Sequence, residues 1–422
     1  MKNMICLLLL SLVLPVFASE LEFVTPESMG VSSERLGMIN EFVRRDIDDG
    51  KLVGVVTMVA RGGKIMHYET AGKYGLDNDR SIDKDALFRI YSMTKPITTV
   101  AAMMLYEEGQ FQLGDPVSRY LPEFESQTLY RDGEEFRPAS PMTIKQLMSH
   151  SAGLTYGNTD DHPVELAYQA ARLQESADLN EFVDRLAGIP LRFEPGTRYH
   201  YSVATDVLGA VVERLSGMTL EAYFDERIFT PLEMDDTFFN VPDDKLDRLA
   251  TNHYWNAEAD SMAVLPAGMA IPMQGVTLFS GGGGLVSTTM DYMVFLEMLR
   301  QGGSYNGVRI LGPKTVQYMT IDQLTADVRN NGADEFPASH LYPGQSFGLG
   351  FGVITDPGQS GVISSMGEYS WGGAANTKFW VDPEEDLVAI LMTQFLGSPW
   401  SDPTRFQMKV ATYQALTELN GN

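Results

Sequence analysis

Strand-like runs lie at both ends of this chain and helix-patterned segments fill its middle, and that ordering restricts the fold more than any other feature. Early on, "VGVVTMVA" (53–60) and "KIMHYETAG" (64–72) are β-rich runs joined by "RGG", a hairpin signal. Late in the chain "FGLGFGVI" (347–354), "NTKFWVD" (376–382) and "DLVAILMTQ" (386–394) return to the same composition. Between them "TIKQLMSHSAGL" (143–154) carries helical periodicity ending near Gly153, and "VATDVLGAVVERLSG" (203–217) is an amphipathic helix closed by Gly217. "STTMDYMVFLEMLRQGG" (287–303) reads as a helix with Thr288 at its N-cap. Further helices are expected at 33–49 and at 402–421, the latter with Pro403 in its first turn. Strands need partners, so the two ends are expected to pair. The pattern predicts an α/β (α+β) fold: an antiparallel sheet flanked by helices, with an inserted helical lobe. The expected division is a signal peptide over 1–18, an α/β lobe from 19–110 and 285–422, and a mainly helical lobe from 111–284.

Composition narrows the partners. Apolar residues make up 44% and charged residues 21%, an ordinary globular balance. The formal net charge of −25 repels phosphate backbones and excludes nucleic acid as a partner. Lys2, the apolar run over 5–17 and the Val16-Phe17-Ala18 cleavage site form an export signal, with Ser19 as the mature start. That run is too short to span a bilayer, and no other segment is apolar enough. The expected location is periplasmic or secreted, with no integral membrane segment after cleavage. The one cysteine, Cys6, lies inside the signal, so the mature chain has no disulfide and no thiolate nucleophile. The six histidines show no metal-ligand spacing, and neither a metal nor a cofactor is expected.

Chemistry points to "RIYSMTKPITTVAAMMLYEEGQ" (89–110). Ser92 and Lys95 stand three residues apart at the mouth of an apolar helix running from 92 to about 108, on one face of it. A serine hydroxyl is a weak nucleophile until a base takes its proton, and an amine that loses hydration becomes such a base. The helix N-terminus favours the negative charge of an alkoxide or oxyanion. The plainer alternative is an N-cap serine beside a surface lysine. Ser81 and Lys84 have the same spacing, but lie among Asp83 and Asp85, where the amine would stay solvated. Ser346 sits in a G-x-S-x-G match, yet a β-like run follows it and no His comes after His340, so the match reads as chance. The run of glycines at 281–284 lacks a following Gly-Lys-Ser/Thr and reads as a tight turn before a helix. Tyr201 precedes an amphipathic helix and could relay a proton. In "YSWGGAANTKFWVD", glycines at a strand start would let the backbone approach a ligand and offer an oxyanion N–H.

Taken together, "SMTKPITT", "TIKQLMSHSAGLTYG", "PGTRYHYS", "GGGGLVSTTMDY", "FGLGFGV" and "WGG…FWVDPEEDLVAI" resemble, in order, the serine β-lactamase and penicillin-binding-protein superfamily. The likeness runs from about 27 to 415 and is greatest to the class C β-lactamases and the family VIII carboxylesterases. It implies a β-lactamase/transpeptidase-like fold, Ser92 as acylated nucleophile, Lys95 and Tyr201 as its proton-handling partners, and the N–H groups of Ser92 and Ala374 as the oxyanion hole. Tyr156 and Tyr254 also begin Y-x-N triplets, but neither has the preceding Pro-Gly of Tyr201. Tyr156, Val203, Trp371, Gly372 and Gly373 are expected on the substrate side. Two positions depart from the β-lactamase pattern: Val203 replaces the Asn of Y-x-N, and Trp371-Gly372-Gly373 replaces Lys-Thr-Gly. These changes suit a neutral ester better than an anionic antibiotic. The resemblance therefore implies a serine esterase for small-molecule, short-chain esters, with weak β-lactam binding compatible with it. A β-lactamase or D-Ala-D-Ala carboxypeptidase is the alternative enzyme, and a cell-wall-binding pseudo-enzyme the alternative without catalysis.

Overall fold

A computed structural model of the chain describes residues 21–158, 160–326, 328 and 341–420. The signal peptide expected over 1–18 lies outside them.

An eight-stranded antiparallel sheet is built from both ends of the chain. Its order is Gln345–Phe347, Gly352–Ile354, Tyr369–Gly372, Lys378–Asp382, Leu387–Met392, Gly54–Arg61, Lys64–Gly75 and Asn78–Ser81. The join between the ends is the pairing of Gly54–Arg61 with Leu387–Met392, where Val56 faces Met392 and Arg61 faces Leu387. Both strands are apolar at nearly every position because helices cover both faces. Alternation then divides their side chains. Val55, Val59, Leu387, Ala389 and Leu391 join Ile39, Phe42, Met408 and Ala411 under the helices Met38–Asp48 and Ser401–Tyr413. Val56, Met58, Ala60, Val388, Ile390 and Met392 face the main core with the helices Thr94–Glu107 and Thr289–Arg300.

Several boundaries differ from the sequence reading. The expected helix at 33–49 breaks at Gly37 into Ser33–Leu36 and Met38–Asp48. The helix expected at 143–154 is only Ile144–Met148. A Thr143–Gln146 capping box starts it, and the left-handed backbone of His150 (φ 51°) turns the chain away. The run at 347–354 is two strands, because the chain reverses between Phe347 and Gly352. The closing helix stops at Tyr413, since the residues beyond it pair with the N-terminal segment: Ser32 N–H donates to Ala415 O, and Thr417 N–H to Gly30 O.

His67 is buried on Lys64–Gly75, with Nε2 2.8 Å from Thr57 Oγ1. Burial, helped by the nearby Lys84 charge, holds its pKa down at about 4. An unfolded histidine titrates near 6.5, so protons favour the unfolded chain between pH 6.5 and 4. The contribution of neutral His67 is complete above pH 6.5 and is lost as pH falls toward 4. Urea unfolding of the wild type should therefore weaken by up to about 2 kcal/mol more between pH 7.5 and 5 than that of His67→Gln. Equal losses in the two proteins would contradict the assignment.

Candidate active site

The site begins with a strained turn. Tyr91 has φ 46°, a left-handed conformation costly for a bulky residue, and Asn252 Nδ2 donates to its hydroxyl at 2.8 Å. Tyr91–Met93 forms one 3₁₀ turn that runs into the helix Thr94–Glu107. That helix is buried on all sides from Thr94 to Leu105, so its axis is fixed by packing all round. Ser92 is part-exposed at its mouth, while Lys95 is 1% exposed.

Lys95 Nζ donates to Ser92 Oγ at 3.1 Å and to Gly282 O at 2.5 Å. It also lies 4.8 Å from the centre of the Tyr201 ring and 5.5 Å from that of Tyr156. Trp371 Nε1 donates to the Tyr201 hydroxyl at 3.3 Å, with the two rings 5.3 Å apart. The structure thus gathers Ser92, Lys95, Tyr201, Tyr156 and Trp371 into one cluster. Burial, and next its neighbour Tyr201, push the Tyr156 phenol well above the ordinary range. Tyr156 therefore stays protonated, a donor and not a base.

The Trp371 strand continues into the turn that carries Ala374. Gly373 N–H donates to Thr377 O at 3.0 Å, and Asn376 N–H to Gly373 O at 3.1 Å. The turn lies directly against the chain before Ser92, since a Cβ on Gly373 would fall 2.3 Å from Ile90 O. Gly372 ends the strand Tyr369–Gly372, and Ala374 is exposed on the turn. Val203 is buried at the N-cap of the helix Ala204–Ser216 and donates its N–H to Thr155 O at 3.4 Å.

The competing serines are elsewhere. Ser346 is buried within a strand and donates to Asp322 Oδ1 at 2.6 Å. Ser81 and Lys84 are exposed, with the Lys84 amine over the Tyr68 ring.

Three contributors escaped the sequence reading. The turn at 281–284 does more than lead to a helix: it delivers Gly282 O to Lys95 and Gly281 O to Thr98 Oγ1 at 2.7 Å. Asp206, 2% exposed, anchors that turn by accepting from Gly282 N–H at 3.1 Å and from Ser280 Oγ at 2.5 Å. A Cβ on Gly282 would meet Asp206 Oδ2 at 2.4 Å, so no larger residue fits there unshifted. Burial pushes the Asp206 carboxyl upward, opposed first by the Lys95 charge. The third is His150, whose buried ring packs 4.6 Å from Tyr201. A carboxylate on the buried side of an amphipathic helix was the one available signal for Asp206.

The Beta-lactamase family profile matches residues 39–413, and the chain belongs to that family. It is similar to an uncharacterized protein of Mycobacterium tuberculosis, 35% identical over 363 residues that cover 83% of this chain and 88% of the other. It is also 30% identical over 382 residues to the esterase EstB of Burkholderia gladioli, covering 86% and 91%. Among solved structures, EstCE1, described as a hydrolase with promiscuous acyltransferase activity, superposes with a TM-score of 0.76 at 28% identity, over 90% of this chain and 99% of the other. A simvastatin synthase of Aspergillus terreus shares the fold, with a TM-score of 0.77 at 24% identity over 90% and 98% of the two chains. The resemblance to the superfamily and its esterase branch is borne out. The chain is a serine hydrolase of the β-lactamase fold with esterase and acyltransferase relatives.

Asp206→Ala would leave the Ser280 hydroxyl and the Gly282 N–H without their buried acceptor. It should cost about 1–3 kcal/mol in urea unfolding. An unchanged midpoint would show that Asp206 does not anchor the turn.

Proposed function

We propose that the protein is a carboxylesterase that cleaves short-chain esters through an acyl-enzyme on Ser92. The observation that carries this reading is the hydroxyl of part-exposed Ser92 held 3.1 Å from the buried amine of Lys95, which lies over the Tyr201 ring that Trp371 packs against.

In this mechanism Ser92 Oγ attacks the ester carbonyl while Lys95 and Tyr201 share its proton. The Trp371 indole N–H holds the Tyr201 hydroxyl in place, and the Lys95 amine lies over the same ring. The N–H groups of Ser92 and Ala374 receive the oxyanion, aided by the positive end of the Thr94 helix. The proton then passes to the leaving alkoxide. Water, deprotonated by the same pair, attacks the acyl-enzyme and returns Ser92. Each step is a proton or acyl transfer that these side chains can perform.

Substrate choice follows from what the cluster lacks. An anionic β-lactam needs a polar grip on its carboxylate and amide, and Trp371 and Val203 supply neither. One lost charge-assisted hydrogen bond costs about 1.5–3 kcal/mol, or roughly 10- to 150-fold. The similarity to EstB points the same way. We extend the proposal to export, on the strength of Lys2 and the apolar run at 5–17. N-terminal sequencing of the secreted or periplasmic enzyme should begin at Ser19.

Hydrolysis of nitrophenyl butyrate should exceed that of a chromogenic cephalosporin by several orders of magnitude in kcat/KM under one buffer. Comparable values would favour the β-lactamase reading. Lys95→Ala and Tyr201→Phe should each lower kcat by at least about 10²-fold, while Ser81→Ala and Lys84→Ala leave it near wild type. The reverse pattern would move the base to the Ser81–Lys84 pair.

A further inference from the structure

A second cavity, of about 40 Å³, lies on the sheet face opposite Ser92. Strand alternation sets its floor. Trp371 and Phe379 point into the main core with the active centre, whereas Trp380 belongs to the core under the closing helix. Ser370 pairs with Trp380, and Gly372 with Lys378, so Ser370 and Lys378 share the Trp380 face. The helix Ser401–Tyr413 adds Arg405, Phe406 and Lys409 to the lining.

Two buried donors here lack acceptors. Trp380 is 1% exposed, and its Nε1–H has no hydrogen-bond partner among the described residues. The same holds for the buried Nε–H of Arg405. Lys378 Nζ donates to Ser370 Oγ at 3.1 Å and forms no ion pair among the described residues. The lining carboxylate, Glu368, is already taken: Lys409 Nζ reaches one oxygen at 2.6 Å and the Tyr413 hydroxyl the other at 2.9 Å. Arg405 faces Asp402 only across 3.9 Å, while its Nη2 holds Gly373 O and Thr377 O. Ile354, Val362 and Phe406 supply the apolar part of the wall, and Tyr342, Gln345 and Ser360 complete it with polar groups.

Buried N–H donors in folded proteins almost always find acceptors. Three donors lining one cavity, two of them cationic and none paired with a free carboxylate, fit a guest that only accepts. Water could pair with the N–H groups but brings no negative charge to Lys378, whose ammonium Glu368 and Asp402 offset without an ion pair. Burial, with Arg405 and Lys409 nearby, already pulls that ammonium down to about 7.

We propose that this cavity binds a small organic carboxylate. Its oxygens are received by Lys378 Nζ, Trp380 Nε1–H and Arg405 Nε–H, and its short tail by Ile354, Val362 and Phe406. The space matches a carboxylate head and a few carbons.

Thermal shift and titration calorimetry with sodium propionate test this, against sodium chloride at equal ionic strength and with Ser92 first blocked by a fluorophosphonate. The expected result is one saturable site and a rise in Tm. Lys378→Met should weaken propionate binding at least ten-fold and abolish the rise, while keeping or raising Tm without propionate, since a half-buried ammonium with no ion pair among the described residues is removed. Trp380→Phe should weaken binding similarly. If that variant does not fold, Lys378→Met decides alone. Absence of a saturable heat, or unchanged affinity in Lys378→Met, overturns the site. Inorganic phosphate binding as tightly as propionate overturns the carboxylate assignment. The readout is binding on the far face of the sheet, and its dependence on Lys378 is separate from whether Ser92 cleaves esters.

Discussion

The position of one amine governs the arrangement of this molecule's active face. Lys95 is buried, and a buried amine is tolerated only where its N–H groups find partners. Here they go to Ser92 Oγ and Gly282 O, with the faces of Tyr201 and Tyr156 close by. Each partner is fixed in turn by something rigid. Ser92 lies one turn back on the same element, Gly282 is tied by its N–H to Asp206, and Tyr201 is wedged between His150 and Trp371. Asp206 opens the helix that follows Tyr201, so one helix start serves both the phenol and the glycine turn.

The sheet makes this convergence possible. Joining both chain ends across Gly54–Arg61 and Leu387–Met392 leaves the middle of the chain to supply Tyr156, Tyr201, Asp206 and the glycine turn from one side. The Trp371 strand arrives from the C-terminal end, and its turn rests on Ile90 O, two residues before Ser92. Alternation along that same sheet separates two environments: Trp371 and Phe379 face the main core, while Ser370, Lys378 and Trp380 face the closing helix.

Much of the fold was legible in the sequence because its strands are long apolar runs and its helices carry caps, as Thr288 does by accepting from Asp291 N–H. Boundaries were lost where tertiary pairing ended an element early, as beyond Tyr413, or where a left-handed residue such as His150 broke a periodic pattern. Ser92 and Lys95 stood out by residue type and spacing, and Tyr201 and Trp371 by their places in the resemblance to the superfamily. Gly282 did not, because it acts through a main-chain carbonyl that leaves no mark on side-chain chemistry. His150 was hidden for a related reason, and Asp206 showed only as a carboxylate on the buried side of a helix: each touches its partner across more than 50 residues of chain.

The most direct test of the central claim is the site of covalent capture. The enzyme would be treated with a fluorophosphonate, digested and mapped by mass spectrometry. The account requires a single adduct on the peptide holding Ser92, absent from Ser92→Ala and slow to form in Lys95→Ala. An adduct on the peptide holding Ser346, or labelling that survives Ser92→Ala, would contradict it.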